Sequence, residues 1–340
     1  MKHKVLSSNF CQNKTLLDSG ADGCVIQPPI TQHIKSGLKK KISNKDIGKL
    51  FIKENRYLSE IELLNNVQKL DPKNQFTISV KQHSRIPMSI MNGCNYEIKD
   101  CLKYESYKPY YQIIMENAGT RIDLFDKKIK YNIFLKSFLK YIEGLNLLSS
   151  KNYVHCDIKP RNVMIKNHKL NLIDFGHMKK LDDIYNINKL NTLKFHYKYY
   201  PPEFYIAYIY LTLNSLTKEP LHLVIRNSLL YIYNKHYSQY KMNNKEFTTY
   251  KAQLNNFINH IENNKLKFEN IFNYDLAQKI DVFSTYYVLS SFYDKIIYKN
   301  KKQKEFISKL MSLCRNANPI ERISLSELFA IIQNQIDKKQ

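Results

Sequence analysis

Tryptophan is absent from this chain of 340 residues, and glycine occurs only 8 times. So little glycine excludes collagen-like and glycine-rich repeat structures. No stretch approaches 18 uninterrupted apolar residues, so a membrane-spanning helix is not expected. The opening stretch MKHKVLSSNFCQNK is polar and has no apolar signal core. Acidic residues are outnumbered, 30 against 53 basic ones, for a net charge of +23. That balance suits phosphates and acidic proteins, although Lys and Asn recur throughout the chain, as AT-rich coding would produce. The 6 cysteines (Cys11, Cys24, Cys94, Cys101, Cys156 and Cys314) form no C-x-x-C pair and have no histidine at zinc-ligand spacing. They are expected to be reduced thiols, and the expected compartment is the cytoplasm.

What the chain does have is a 43% hydrophobic fraction, enough for a core, and a length that suggests two lobes. The first third reads as strands with one helix. Two strands and a tight turn are expected over 16–30, a strand over 47–53 and another over 110–119. A helix over 55–70 carries Leu58, Ile61, Leu64 and Val67 at helical spacing. Beyond about residue 120 the pattern turns helical, with helices expected over 131–150, 281–293, 304–314 and 324–336. Ser324 and Glu327 are spaced to cap the last of these. Two short strands, 163–166 and 170–173, meet at Asn167-His168. The expected fold is α+β, with a small β-rich lobe over 1–118 and a larger helical lobe over 119–340.

The chemistry concentrates in HCDIKPRN, residues 155–162, and LIDFG, residues 172–176. A carboxylate (Asp157), an ammonium (Lys159), an amide (Asn162) and a second carboxylate (Asp174) suit phosphoryl transfer, where positioning and charge neutralisation do most of the work. Asp157 would accept or orient a hydroxyl proton, and Lys159 would place positive charge near the moving phosphoryl group. Asn162 and Asp174 are hard oxygen ligands of the kind Mg²⁺ takes.

These residues resemble the protein kinase superfamily: His155-Cys156-Asp157 with Asn162 is similar to its catalytic loop, and Asp174-Phe175-Gly176 to its metal-binding signature. The resemblance implies the bilobal kinase fold, ATP with Mg²⁺ or Mn²⁺, and a protein substrate, acidic if the basic surface selects it. DSGADGCV, residues 18–25, resembles the glycine-rich phosphate loop, with Gly20, Gly23 and Val25 in place and Asp18 where the first glycine is usual. The resemblance also implies a strand lysine paired with Glu60. Lys49 and Lys53 both stand near; the eleven residues from Lys49 to Glu60 leave more room for a strand and a helix start than the seven from Lys53. IIMENAG resembles the adenine-binding hinge, with Met115 as gatekeeper, Glu116 to Ala118 offering backbone groups and Asp123 within reach of a ribose. Pro201-Pro202-Glu203 resembles the close of the activation segment, Arg322 the arginine that pairs with that glutamate, and Asp281 the aspartate that braces the catalytic loop.

Two departures matter. Cys156 replaces the arginine that would meet an activating phosphate, which implies constitutive competence. A largely helical insertion is expected over about 204–273. Lys159 points to the serine/threonine form, and the divergences together look like kinases of large cytoplasmic DNA viruses, which would place the protein in host cytoplasm or a virion. The alternative is a pseudokinase scaffold, which Asp18 favours and the complete set Asp157, Asn162 and Asp174 disfavours. Nucleic-acid binding through Lys39-Lys40-Lys41 or 299–304 is not indicated, because no recognition signature accompanies these clusters.

Overall fold

The computed structural model describes residues 11–20, 23–31, 41–184, 199–207, 210, 223–226, 243–267, 271 and 273–338. The chain divides into two compact units, Met1–Gly119 and Thr120–Gln340.

The N-terminal unit is built on a five-stranded antiparallel sheet of β1 (Thr15–Gly20), β2 (Gly23–Gln27), β3 (Ile47–Phe51), β4 (Val80–Ile86) and β5 (Tyr110–Met115), ordered β1-β2-β3-β5-β4. Among the described residues three helices accompany it: α1 (Glu54–Leu70), α2 (Met88–Asn92) and α3 (Tyr96–Cys101). The sequence anticipated α1 alone. Strand β4, whose VKQHSRI shows no clean apolar alternation, escaped it, as did the two short helices, whose five and six residues carry too little of a 3.6 period to register. Helix α1 buries Leu64 and Val67 as expected, but at its start Tyr57 is buried and Leu58 is left 54% exposed. The turn after α1 is held by the buried Asp71 carboxylate, which accepts from the Gln75, Phe76 and Thr77 amides and the Thr77 hydroxyl.

Residues directly opposite across strands share a face. Cys24, Leu50 and Gln112 line up on one face, and Val25, Lys49 and Ile113 on the other. On the first face Gln112 exchanges two hydrogen bonds with the Ile30 backbone, at 2.9 and 2.7 Å, and a core of Ile26, Ile30, Leu50, Ile86, Met91, Ile98 and Leu102 forms beneath α2 and α3. The expectation of six reduced thiols is corrected within this core. Cys11 is bonded to Cys94 and Cys24 to Cys101, while Cys156 and Cys314 are free. The partners lie 83 and 77 residues apart, a pairing that spacing cannot foretell.

The C-terminal unit is mainly helical. Short strands β6 (Thr120–Arg121) and β7 (Ile129–Lys130) lead into α4 (Tyr131–Ser150), then β8 (Tyr153–Val154), the hairpin β9 (Val163–Lys166) and β10 (Lys169–Leu172), and β11 (Lys179–Lys180). Helices α5 (Asn244–Asn263), α6 (Tyr274–Gln278) and α7 (Ile280–Tyr293) follow, then β12 (Ile296–Ile297), α8 (Lys301–Cys314) and α9 (Leu325–Asp337). Helix α7 is apolar on nearly every side and is buried accordingly, from Ile280 to Phe292. Ser324 and Glu327 form the capping box on α9, with the Glu327 amide donating to Ser324 Oγ and the Ser324 amide to Glu327 Oε2. Of the insertion expected over 204–273, positions 208–209, 211–222, 227–242, 268–270 and 272 lie outside the described residues. Its described part centres on α5, capped by Asn243 and Glu246, which buries Tyr250, Leu254, Phe257, Ile258 and Ile261 against Phe283 and Ala317. Lys39 and Lys40 also lie outside the described residues. No helix among the described residues is long and apolar enough to cross a membrane.

Candidate active site

The β9–β10 hairpin sets the geometry. Asn167 and His168, both with positive φ, make its two-residue turn, which fits the twist of paired strands. Val163 opposes Leu172 at the open end, and the Ile173 amide donates to the Asn162 carbonyl at 3.0 Å. Asn162 therefore sits where one strand begins, and Asp174 one residue past the point where the other is tied to it. Asp174 takes the left-handed conformation, φ 62°.

His155 binds the loop to the hairpin. Its Nδ1 accepts from the Asp157 amide at 3.2 Å, so Nε2 carries the hydrogen and donates to the Ile173 carbonyl, also at 3.2 Å. Phe175 meets the imidazole edge-on with centroids 5.0 Å apart. Burial lowers the His155 pKa to about 4, so the ring is neutral at physiological pH.

Asp157 is 4% exposed and accepts three hydrogen bonds from two donors: Asn162 Nδ2 at 2.7 Å and Lys159 Nζ at 2.8 Å on Oδ2, and the same Lys159 Nζ at 3.1 Å on Oδ1. Asn162 Nδ2 also donates to the Asp157 carbonyl at 3.0 Å. The amide nitrogen is thus committed to the loop, which leaves Oδ1 as the end of Asn162 that can serve a cation.

Asp281, at the start of α7, secures the loop from below. Its two oxygens accept from the His155 and Cys156 amides at 2.7 and 3.1 Å. These bonds hold Cys156 at φ 59°, a conformation that L-residues adopt at a cost. Cys156 lies in an apolar cluster with Val154, Leu181, Ile184, Tyr200, Phe204, Ala277 and Ile280, and burial pushes its thiol well up. The segment ends at 181–184 and 200–204 are therefore seated by apolar packing; positions 185–198 between them lie outside the described residues.

Burial drives the Asp281 carboxyl from 3.8 to about 7, against the pull of its two amide bonds. A raised carboxyl contributes stability that is present at low pH and lost as pH rises through 7. The lowered His155 contributes the reverse: stability present above 6.5 and lost as pH falls through about 4. Across pH 4 to 6.5 the two slopes oppose. Asp281→Asn removes one of them, so acidification from pH 7 should lower the melting temperature of the variant more than that of wild type. The uncovered His155 contribution amounts to at most about 3 kcal/mol. Parallel melting profiles in a pH series would contradict this.

In the N-terminal unit Lys49, on β3, places Nζ 2.6 Å from Glu60 Oε1 on α1, with both side chains largely buried. Lys53 is instead the residue that precedes α1. Gly23 has φ 154°, and a Cβ there would lie 1.8 Å from the Leu50 carbonyl oxygen, so only glycine lets β2 lie this close to β3. Val25 shares the face of Lys49, as its register partner. Gly20 ends β1; 21–22, between it and Gly23, lie outside the described residues. The Asp18 carboxylate accepts from the Ser19 amide at 2.9 Å. Met115 and Ala118 are buried, and the Glu116 amide donates to the Ser79 carbonyl at 3.0 Å. Asp123, in the C-terminal unit, forms a two-pronged pair with Arg121, which lowers its pKa.

The Glu203–Arg322 pair is present as expected. Both side chains are fully buried, Nη2 donates to Oε2 at 2.9 Å, and Nη1 serves the other oxygen. Arg322 Nε also donates to the Asn316 carbonyl, and its guanidinium lies 4.9 Å above the Phe283 ring.

A family model described as protein tyrosine and serine/threonine kinase matches residues 12–215, well over half of the chain. The chain belongs to the protein kinase family. Similar proteins agree. Two proteins of Acanthamoeba polyphaga mimivirus, each named "putative serine/threonine-protein kinase", are 29% identical over 196 residues and 31% identical over 156. The matches cover 54% of this chain and 27% of the first viral protein, and 43% of this chain and 54% of the second. The mitosis inhibitor protein kinase of Candida albicans is 34% identical over 82 residues, covering 22% of this kinase and 7% of that protein. The kinase therefore spans between about a quarter and half the length of its viral relatives and much less of the fungal one. The β-sheet unit followed by a helical unit is the α+β kinase fold anticipated from the catalytic-loop residues.

Proposed function

We propose that this kinase transfers the γ-phosphoryl group of Mg-ATP to serine or threonine hydroxyls of protein substrates, and that its turnover is its own rather than lent by a partner. One observation carries the reading. A buried carboxylate, Asp157, is oriented by Lys159 and Asn162, and the backbone bond from Ile173 to Asn162 sets Asp174 beside the same loop. A scaffold without turnover has no use for that arrangement.

The donor set fits a hard divalent ion: the amide oxygen of Asn162 and the carboxylate of Asp174, both oxygen ligands of the kind Mg²⁺ and Mn²⁺ take. When bound, such an ion neutralises charge on the phosphates. Asp157 takes up or orients the proton of the attacking hydroxyl, and Lys159, 2.8 Å away, offers positive charge to the group in transit. Lys49, aligned by Glu60, offers its ammonium to the α- and β-phosphates. Gly20, Gly23 and Val25 cover the nucleotide, Met115 stands beside the base, and Glu116 to Ala118 provide the backbone edge it meets. With a net charge of +23 the preferred substrates are acidic.

Transfer of radiolabelled γ-phosphate to casein and to a basic protein tests the reading. Incorporation on serine and threonine, higher for casein and undiminished after phosphatase treatment of the kinase, is expected. Nucleotide binding without incorporation on either protein would favour a scaffold, and loss after phosphatase would overturn constitutive competence.

A further inference from the structure

Two disulfides lie in the unit that carries the strand lysine, and nothing in phosphoryl transfer requires them. Cys11 precedes β1 by four residues and bonds to Cys94, between α2 and α3; Cys24, the residue after Gly23, bonds to Cys101 at the end of α3. All four belong to one apolar core, with Cys24 and Cys11 fully buried and Cys94 5% exposed. Both strands of the edge pair β1–β2 are thereby fastened to the same helical layer. They are held on the sheet face of Cys24 and Leu50, opposite the face of Val25 and Lys49. Without the bonds, β1 has β2 as its only strand neighbour among the described residues. Elsewhere it would rest on α3 and on local contacts such as Asn95 Nδ2 donating to the Lys14 carbonyl at 2.8 Å. The chain reserves its bridges for this element: the two cysteines outside it, Cys156 and Cys314, are buried and unbridged.

We propose that the two bridges form a thiol–disulfide control of nucleotide retention. With both closed, β1 and β2 are held on α2–α3 and the Val25–Lys49 face keeps its shape. When a dithiol reductant opens them, each bridge takes up two electrons and two protons, giving two thiols and one reductant disulfide; β1 and β2 then loosen, and nucleotide is released. Oxidised glutathione, or a protein disulfide of equivalent potential, reverses the exchange through a mixed disulfide. The working form is the oxidised one. The nucleotide consequence rests on the function proposed above; the anchoring of β1 and β2 does not.

The test uses the full chain purified without reductant. Alkylation in denaturant followed by mass measurement should label two cysteines before reduction and six after; six before reduction overturns the proposal. Amide exchange over Thr15–Ser19 and Cys24–Gln27 should quicken by about ten-fold or more on reduction, while α4 is unaffected. Unchanged exchange in β1 and β2 overturns the anchoring, and collapse of the entire sheet overturns a switch in favour of a purely structural staple. ATP dissociation constants should rise by about ten-fold when the competent fraction falls to about a tenth, and return with oxidised glutathione. Cys94→Ser/Cys101→Ser should behave as reduced under all conditions, and Cys314→Ala should keep the response. Equal affinity in both states overturns control. An oxidised protein that binds no ATP overturns control together with the nucleotide reading, and the exchange data still decide the anchoring.

Discussion

Asp157→Asn should lower phosphoryl transfer by about 10²- to 10⁴-fold, the range typical of losing a positioned general acid or base. The variant should still fold and bind ATP. Asparagine keeps one acceptor for Lys159 or Asn162, whose donors reach both oxygens of the native carboxylate. The main chain of the loop stays tied by His155, Asp281 and the Ile173–Asn162 bond. What disappears is the proposed acceptor for the hydroxyl proton, so kcat should fall while the affinity for nucleotide stays nearly constant. Single-turnover assays beside calorimetric titration separate the two. Equal activity in wild type and variant would mean that the transfer belongs to another protein in the preparation, and a variant that loses ATP binding would place Asp157 in nucleotide recognition.

Arg322→Ala should lower the stability of the C-terminal unit by about 3–5 kcal/mol, because it strands the Glu203 carboxylate in a fully buried position. For a unit of this size that is a fall in melting temperature of about 10 °C. The arginine does more than pair. Its Nε satisfies the Asn316 carbonyl and its plane covers Phe283, so Arg322→Lys should recover only part of the loss; an ammonium cannot supply the parallel fork or the stacked plane. A double change, Glu203→Leu with Arg322→Met, removes both charges and should melt higher than Arg322→Ala alone. If instead the double variant melts lower than the single, the cost lies in lost packing and not in an uncompensated charge.

The sequence made much of this legible wherever the signal is local. The turn at Asn167-His168, the apolar run of α7 and the Ser324–Glu327 box each need fewer than fifteen consecutive residues to be read, and each stands as expected. The chemical motifs are local in the same way: HCDIKPRN suggests its roles by residue type, and the structure adds the hydrogen bonds that join Asp157, Lys159 and Asn162. Contacts between distant segments were less accessible. Spacing could favour Lys49 over Lys53 as the partner of Glu60, and the ion pair itself is seen only where β3 meets α1. Two disulfides stand where reduced thiols are expected, because α2 and α3 are too short to announce themselves, and without them Cys94 and Cys101 have no visible relation to Cys11 and Cys24. Helix α1 was placed correctly, but Tyr57 took the core position assigned to Leu58. Its ring stacks on Tyr111 at 4.8 Å and its hydroxyl meets His83 Nδ1 at 2.9 Å, partners that lie on β5 and β4.

Calorimetric titration of ATP with and without Mg²⁺, on wild type and Asp174→Ala, tests the central claim most directly. If Asn162 and Asp174 share one ion beneath the phosphates, Mg²⁺ should tighten ATP binding to wild type by about ten-fold or more, and this gain should vanish in Asp174→Ala while the metal-free affinity is retained. The same metal-dependent gain in both proteins would show that the ion is held elsewhere and would contradict the assignment of this hairpin as the metal-binding edge of the site.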